Sequence, residues 1–343
     1  MTSVIGWDIG GAHVKAARAE AGRIVAVAQI ACAPHSGLAD LERALRAAAA
    51  IVGSAARHGV SMTAELSDAF ENREVGVMSV AAIFSREIAA TEPLFYAGAR
   101  GFVARAALRD HAREIASANW RASAELVARG LSDALFVDMG STTTDLVPIK
   151  DGAIAACGTS DAERLAFGEL VYTGFTRGNP LDGVTLAPVN GRWAALAHEA
   201  FATMADVRRA LGDIAEDADL SPTADGRDKS AAASNARLAR LAGCDAADIS
   251  AAAARAFAEF LARAQLRRIE DQIALLESRG AFLRDAPIVG AGAGRRAAQR
   301  LAHLRGGAFV DMEALIPATP DMKAAAATCA PAAAAALLLC AAS

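Results

Sequence analysis

Two short stretches of the sequence combine a carboxylate, glycines and small polar residues in a way that suits phosphate chemistry. The first is Asp8-Ile9-Gly10-Gly11, with Lys15 close behind, and the second is Asp138-Met139-Gly140-Ser141-Thr142. Glycine has no side chain, so backbone N–H groups there can approach an anion closely. Carboxylates can hold Mg²⁺, and a lysine can neutralise anionic oxygens. We therefore predict metal binding by Asp8 and Asp138, with Mg²⁺ as cofactor, and a catalytic positive charge from Lys15. We also predict phosphate binding by Gly10, Gly11, Gly140, Ser141 and Thr142.

Both stretches follow short apolar runs that read as buried strands, at 4–7 and 134–137. Ligands of open α/β sheets bind outside the carboxyl ends of strands, which is where Asp8 and Asp138 stand. The second copy begins about 130 residues after the first. Such a repeat predicts two related lobes, each offering a strand–turn–strand loop to one shared cleft.

A third glycine-rich stretch, Gly290-Ala291-Gly292-Ala293-Gly294, follows a predicted strand at 286–289. Its spacing is G-x-G-x-G and not the G-x-G-x-x-G of dinucleotide-binding folds, and no βαβ unit surrounds it. We interpret it as a third ligand-facing loop before a helix at 295–304. On this interpretation Gly290 and Gly292 also contact phosphate.

The composition narrows the class of protein. A chain of 343 residues is long enough for two domains, and its net charge of −4 without a basic stripe argues against nucleic acid as a partner. The five cysteines are dispersed without C-x-x-C spacing, which is typical of reduced thiols. The N-terminus resembles no export signal, so we expect a cytoplasmic protein that acts on small molecules.

The segment 324–342 carries no charge but consists mostly of alanine and contains Pro331. Alanine contributes little to membrane insertion. We therefore predict a packed terminal helix and no membrane contact. The predicted organisation is a first lobe at 1–130 onto which 322–343 packs back. A second lobe follows at 131–321, with a polar lid or insert near 174–230.

The three glycine-containing loops, DIGGAHVK, DMGSTTTD and VGAGAG, resemble the phosphate-1, phosphate-2 and adenosine segments of the actin, heat-shock-chaperone and sugar-kinase superfamily. The resemblance covers most of the chain. It implies an α/β fold with two ribonuclease-H-like (actin-like ATPase) lobes around a central cleft. The superfamily includes enzymes of several classes, so the fold alone does not define a function.

Further strings, MTAELSDAF, ASANW, FVDMGSTTTDLVPI, ELVYTG, FATMADV and TADGRDK, resemble the hydantoinase/oxoprolinase-related group. Within it they are most similar to proteins linked to tetrahydromethanopterin one-carbon metabolism, whose archaeal members are methanofuran-biosynthesis synthases. This resemblance implies a transferase that joins (aminomethyl)furanmethyl diphosphate to the phenol oxygen of a γ-glutamyl-tyramine acceptor and releases diphosphate. The turn Arg177-Gly178-Asn179-Pro180 departs from the expected pattern, which leaves the role of Arg177 open.

Such a transfer needs a base, or close positioning, for the phenol. The candidates are Glu65 and Asp145 first, followed by Asp68, His13 and Glu199. Asp145 could instead cap its threonine-rich turn, and Glu65 could be an acid in the first turn of a helix. For substrate binding we predict the residues Asn119, Trp120, Glu199 and Thr203. Asn119 and Trp120 could also simply pack between the lobes.

A predicted helix at 194–211 would place Glu199, Thr203 and Asp206 on one face, either lining the acceptor pocket or facing solvent. Two other functions stay open. The first is an ATP-dependent small-molecule kinase or a hydantoinase-like enzyme, with ATP as cofactor, and the second is a nucleotide-gated regulatory protein. The sequence is also compatible with a homodimer.

Overall fold

Two mixed β-sheets with flanking helices make up most of the computed structural model, which describes residues 3–34, 37–88, 91–215 and 218–342. Parts of the predicted lobes, insert and terminal segment, namely residues 1, 2, 35, 36, 89, 90, 216, 217 and 343, lie outside these ranges. The strands are β1 (Ser3–Ile9), β2 (His13–Glu20), β3 (Arg23–Ala31), β4 (Arg57–Met62), β5 (Leu94–Tyr96), β6 (Phe102–Ala104), β7 (Ala134–Met139), β8 (Thr144–Lys150), β9 (Ala153–Ile154), β10 (Leu170–Val171), β11 (Leu186–Val189), β12 (Arg192–Ala195), β13 (Ile288–Ala291) and β14 (Phe309–Asp311). The helices are α1 (Leu38–Val52), α2 (Arg73–Glu87), α3 (Ala112–Ile115), α4 (Asn119–Gly130), α5 (Asp161–Ala166), α6 (Met204–Leu211), α7 (Ala231–Leu241), α8 (Ala251–Ser278), α9 (Arg295–Leu304), α10 (Lys323–Thr328) and α11 (Ala330–Ala341).

The two sheets share one topology. The first has the order β3-β2-β1-β4-β5-β6, and the second has the order β10-β8-β7-β13-β14. Each sheet contains an antiparallel hairpin, β1–β2 or β7–β8. The first strand of the hairpin pairs on its other side with a parallel strand, β1 with β4 and β7 with β13, and β14 continues the parallel pairing in the second sheet. This order and these directions are those of a ribonuclease-H-like lobe, so the predicted fold class is confirmed.

The two hairpins also correspond residue by residue. Asp8 stands opposite Lys15 in the first hairpin, and Asp138 stands opposite Asp145 in the second. In each hairpin four residues lie between the last two residues that stand opposite each other, Ile9 and Val14 or Met139 and Thr144. The N–H of the first of these four donates to the carbonyl of the fourth at 2.9 Å, from Gly10 to His13 and from Gly140 to Thr143. The repeat in the sequence is therefore a repeat of local geometry.

Several predicted elements differ from those observed. The sequence from 38 to 58 has an amphipathic helical pattern, but α1 ends at Val52, and Arg57–Met62 forms β4, a parallel neighbour of β1. Because β4 contains small and polar residues, it shows no apolar run in the sequence. Its small residues allow close packing, since a Cβ on Gly59 would lie 2.9 Å from the Phe102 ring. The sequence from 110 to 130 also has a helical pattern, but it forms two helices, α3 and α4, separated at Ser117, whose φ of 55° is left-handed.

The predicted helix at 194–211 was wrong over its first half. Residues 192–195 form β12, and α6 begins only at Met204, where Thr203 and Asp206 make reciprocal capping hydrogen bonds. Glu199 therefore precedes the helix and shares no helical face with Thr203. The predicted polar stripe does not exist, because local capping chemistry defines the start of the helix.

The alanine-rich C-terminal segment forms α10 and α11, which meet at Cys329, and Pro331 lies in the first turn of α11. Helix α11 packs on β1, β2, β4 and α4, and α4 in turn contacts β7 and β8. The small side chains allow very close approach, since a Cβ on Gly6 of β1 would lie 2.1 Å from the carbonyl oxygen of Ala332. Among the described residues, no helix is both long and apolar enough to cross a bilayer.

Replacement of Gly6 by alanine is expected to lower the free energy of unfolding by about 1–3 kcal/mol, because the added methyl group must push α11 away from β1. Urea denaturation followed by circular dichroism measures the change. The matched control is Gly11→Ala, where a Cβ would meet no atom within 4 Å. Equal stability of the two variants would contradict the close packing described here.

Candidate active site

A cavity of about 340 Å³ lies between the lobes, where the two hairpin turns face each other. It brings together eleven of the predicted site residues: Asp8, Gly10, Gly11, Lys15, Asn119, Trp120, Asp138, Gly140, Ser141, Thr142 and Asp145. Five others do not line it: Glu65, Glu199, Thr203, Gly290 and Gly292. The alternative base candidates His13 and Asp68 are part of its wall.

The hairpin turns present unused hydrogen-bond donors to this cavity. In the described residues, the backbone N–H groups of Gly11, Ala12, Ser141 and Thr142 donate no hydrogen bond. All four residues line the cavity, and the space beside the Gly11 Cα is open. Amides of this kind bind anions well, because an ionised acceptor roughly doubles the strength of a hydrogen bond.

Asp8 is held in place by two neighbours. Its carboxylate lies 3.6 Å from the Lys15 Nζ and accepts a hydrogen bond from the Asn119 side-chain amide at 3.2 Å. Burial raises the pKa of Asp8 although Lys15 and Asn119 oppose the shift. Burial alone would lower the pKa of Lys15, but the charges of Asp8, Cys329 and Asp138 raise it overall. Lys15 is therefore a stable cation at the edge of the cavity.

Asp138 has no such neighbours. Its side chain is 6% exposed, and within the described ranges neither a hydrogen bond nor an ion pair reaches its carboxylate. Burial raises its pKa to about 7, against the effect of Lys15 and with further contributions from Asp145 and Asp8. A buried carboxylate without a partner, facing a cavity, is suited to receive a cation.

The described part of the chain contains no group of three or more His, Cys, Asp or Glu side chains placed to hold a metal ion. Mg²⁺, however, is commonly bound by one or two carboxylates, with water and substrate phosphates completing its shell. Asp8 and Asp138 fit that donor set, because both carboxylates reach the same cavity as the free amides.

Asp145 belongs to an arrangement that the sequence analysis missed. The guanidinium of Arg164, in α5, donates to the Asp145 Oδ1 at 2.8 Å and to the carbonyl of Glu169 at 2.9 Å. It also lies 4.0 Å from the centre of the Trp120 ring, a cation–π contact. The S-x-x-E pattern of Ser160 and Glu163 marks the start of α5 and was available in the sequence. Nothing local indicates the partners of Arg164.

Glu65 lies behind the cavity wall, in the 3₁₀ turn Ala64–Leu66, and is 2% exposed. Its Oε1 accepts hydrogen bonds from the backbone N–H and the hydroxyl of Ser117, at 2.8 and 3.2 Å. The Ser117 hydroxyl is also 3.1 Å from the Oδ2 of Asp161. The predicted direct catalytic contact of Glu65 is not supported by this placement. The geometry instead makes Glu65 a positioning residue for Ser117, whose backbone has a left-handed conformation and which does line the cavity.

Burial raises the pKa of Glu65 to about 7, even though hydrogen bonds from Ser117 lower it. Because the folded pKa exceeds the ordinary value of 4.5, ionising Glu65 costs the folded state more than the unfolded state, and wild-type stability should fall between about pH 4.5 and 7. Glu65→Gln removes this penalty. We expect the free energy of unfolding of the variant, relative to wild type, to rise by about 1–3 kcal/mol between pH 4.5 and pH 8. Urea titrations at both pH values test this, with exposed Glu71→Gln as control. A difference that does not change with pH would contradict it.

The third glycine loop does not reach the cavity. A Cβ on Gly290 would lie 2.7 Å from the Phe309 ring, and the Gly292 N–H donates to the Ala327 carbonyl at 3.0 Å. Gly292 has φ of 79°, and a Cβ there would lie 2.4 Å from the Oδ1 of Asp138. The predicted phosphate contacts of Gly290 and Gly292 are therefore not supported. These glycines allow the loop to pack behind Asp138.

Glu199 is exposed and Thr203 caps α6, so neither predicted substrate contact is made in the central cavity. Thr203 lines a different cavity, of about 470 Å³, which Arg177 also lines. Arg177 borders the central cavity as well, and its backbone N–H donates to the Ser141 carbonyl at 2.8 Å.

Burial, with the charges of Lys15 and Arg177, lowers the pKa of His13 to about 4, so His13 is neutral at neutral pH.

Residues 57–338 match the family described as hydantoinase/oxoprolinase. A protein of Methanocaldococcus jannaschii is 34% identical over 182 residues, which are 52% of this chain and 54% of that protein. A protein of Methanococcus vannielii is 35% identical over 130 residues, 37% of this chain and 58% of that protein. Both carry the name (4-{4-[2-(γ-L-glutamylamino)ethyl]phenoxymethyl}furan-2-yl)methanamine synthase. The chain thus spans little more than half the length of these curated relatives.

Among solved structures, a nucleotide-free acetone carboxylase matches 86% of this chain and 66% of its own, with a TM-score of 0.52 and 12% identity. At that identity the match supports the fold alone.

Proposed function

Because the chain belongs to the hydantoinase/oxoprolinase family, we propose that it is a transferase of methanofuran-type cofactor biosynthesis. The name of the two archaeal relatives describes a product in which a phenol oxygen is joined to a furylmethyl carbon. On this proposal the chain condenses (aminomethyl)furanmethyl diphosphate with the phenol of a γ-glutamyl-tyramine acceptor. The bond between the furylmethyl carbon and the diphosphate oxygen breaks, and its electron pair leaves with diphosphate. The phenol oxygen forms the new bond to carbon and gives up its proton to a base.

The observation that supports this proposal best is the pair of hairpin turns. They direct four residues with unused amides, together with Lys15, to one cavity beside two buried carboxylates. A diphosphate leaving group needs donors and positive charge where its own charge increases during bond breaking. The amides of Gly11, Ala12, Ser141 and Thr142 would hold its oxygens, and Lys15 would neutralise it. Mg²⁺, held by Asp8 and Asp138, would supply further charge neutralisation when bound.

For the proton of the phenol we propose Asp145 as the base. Its Oδ1 is bound to Arg164, whereas its Oδ2 makes no hydrogen bond in the described residues. Burial raises its pKa, against the lowering effect of Arg164, and a raised pKa makes a carboxylate a better proton acceptor. Asn119 and Trp120 would position the substrates, since both line the cavity and Asn119 also orients Asp8.

The test is incubation of the full chain with the furanmethyl diphosphate, γ-glutamyl-tyramine and Mg²⁺. We expect the ether by mass spectrometry and diphosphate in a one-to-one ratio to it. A parallel reaction replaces the furan substrate by ATP. Release of ADP or phosphate from ATP, with no ether in the first reaction, would replace this proposal by the ATP-dependent alternative. Nucleotide-dependent association with no product would favour the regulatory alternative.

A further inference from the structure

A second cavity, of about 480 Å³, adjoins the central one, and we call it the arginine cavity. Its walls include Arg100, Arg113, Arg121, Glu114 and Trp120. The volume lies within the ~300–1,000 Å³ that is usual for small-molecule sites. None of the residues predicted from the sequence to bind phosphate lines it.

The first turn of α4 and the residues before it separate the two cavities. Ser117 and Asn119 border the central cavity, whereas Ala118 and Arg121 border the arginine cavity, and Trp120 borders both. A molecule in the arginine cavity would therefore lie directly across Trp120 from the predicted diphosphate site.

The arginine cavity is open to solvent, because Arg100, Arg113 and Glu114 in its wall are exposed. Within the described residues, the guanidinium groups of Arg100 and Arg113 have no hydrogen bond and no ion pair. Arg121 has only a long contact, 3.6 Å from its Nε to Glu125, and that carboxylate also accepts the Tyr96 hydroxyl at 2.6 Å. The Nε of Arg121 is buried without a hydrogen bond.

The remaining walls suit an organic ligand and not a bare anion. Apolar groups of Ala97, Gly98, Ala118 and Trp120, all of which are buried residues, line the cavity beside the arginines. Glu114 adds one carboxylate, 3.6 Å from His111, that could accept an ammonium group. The set of arginines, one carboxylate and an apolar wall matches an amino-acid end attached to an aromatic or alkyl chain.

From this juxtaposition we infer that the arginine cavity binds the free α-amino-acid end of the γ-glutamyl acceptor, with Arg100 and Arg113 on its α-carboxylate and Glu114 on its α-ammonium group. This inference rests on the proposed function for the identity of the acceptor. A γ-linked glutamyl residue has both of these charged groups free, whereas its tyramine part is apolar up to the phenol. The tyramine part would pass Trp120 toward the central cavity.

The test compares binding of γ-glutamyl-tyramine with that of tyramine, which lacks the amino-acid end, by isothermal titration calorimetry. We expect the full chain to bind γ-glutamyl-tyramine at least tenfold more tightly. The double variant Arg100→Gln/Arg113→Gln should lose this preference, while its affinity for inorganic diphosphate with Mg²⁺ stays within twofold. Arg105→Gln removes a nearby exposed arginine that is not part of the cavity wall and serves as the matched control.

Equal affinity of the wild type for the two acceptors, or an unchanged preference in the double variant, would overturn the inference. Equal weakening of tyramine and γ-glutamyl-tyramine would do so as well, because it indicates a general structural change. The binding measurement needs no turnover, so its outcome is separate from that of the transferase proposal. Where ether forms, the double variant should raise KM for γ-glutamyl-tyramine at least tenfold, with kcat and the KM of the diphosphate within twofold.

Discussion

Asp138→Asn is expected to lower kcat/KM for ether formation at least a hundredfold while the protein stays folded. The substitution keeps the shape of the side chain but removes a negative charge that has no partner among the described residues and lies beside the unused amides of the hairpin turns. If that charge holds a cation against the leaving group, its loss removes stabilisation from the transition state. The measurement is steady-state release of diphosphate with saturating Mg²⁺.

The control for this variant is Asp151→Asn, which changes an exposed turn residue of the same sheet whose φ of 54° asparagine also tolerates. Its activity should match that of wild type. The stability of Asp138→Asn is expected to equal or exceed that of wild type above pH 7, because the variant no longer buries an uncompensated charge. Near-wild-type turnover of Asp138→Asn would show that the metal role assigned to Asp138 is wrong.

Arg164→Met is expected to lower the free energy of unfolding by about 3–5 kcal/mol, the largest change in stability among the variants considered. The Arg164 side chain is 2% exposed and pairs with Asp145, so its removal leaves a carboxylate that is only 16% exposed without a partner. Contacts to the Glu169 carbonyl and to the Trp120 ring are lost as well. Urea denaturation gives the value directly.

A double-mutant cycle separates the ion pair from the other contacts of Arg164. Adding Asp145→Asn to Arg164→Met should recover part of the lost stability, since no buried charge then remains unpaired. The matched comparison is Arg73→Met, which breaks a 3.1 Å pair with Asp161 whose arginine is 46% exposed. That substitution should lower the free energy of unfolding by no more than about 1 kcal/mol. Purely additive effects in the cycle would mean that the two side chains are not coupled.

The family assignment and the two aspartate-bearing hairpin turns could be predicted from the sequence because their signals are local. An apolar strand, an aspartate and a small-residue turn occur twice, and the alternation of side chains along a strand places Asp8 and Asp138 equivalently. The resemblance to the hydantoinase/oxoprolinase group, read from short strings, is confirmed by a match over residues 57–338. The two-lobed fold is confirmed by the shared topology of the sheets.

The functions of other residues depended on contacts between distant parts of the chain. Glu65 looked like a catalytic base by type, yet the fold places it behind Ser117, 52 positions away. Gly290 and Gly292 looked like a phosphate loop, yet Phe309 and Asp138 fill the space beside them. Composition near a residue cannot indicate which distant side chain will occupy that space.

The sequence by itself determined the two hairpin turns and their carboxylates, because turn geometry and strand alternation are properties of a few consecutive residues. Only the tertiary structure decided which charges are neutralised. Among the described residues, Arg164 pairs with Asp145, 19 positions away, whereas Asp138 has no partner and Arg100 and Arg113 line a second cavity. Pairing of charges requires proximity and burial, and both arise only when the lobes and the first turn of α4 come together.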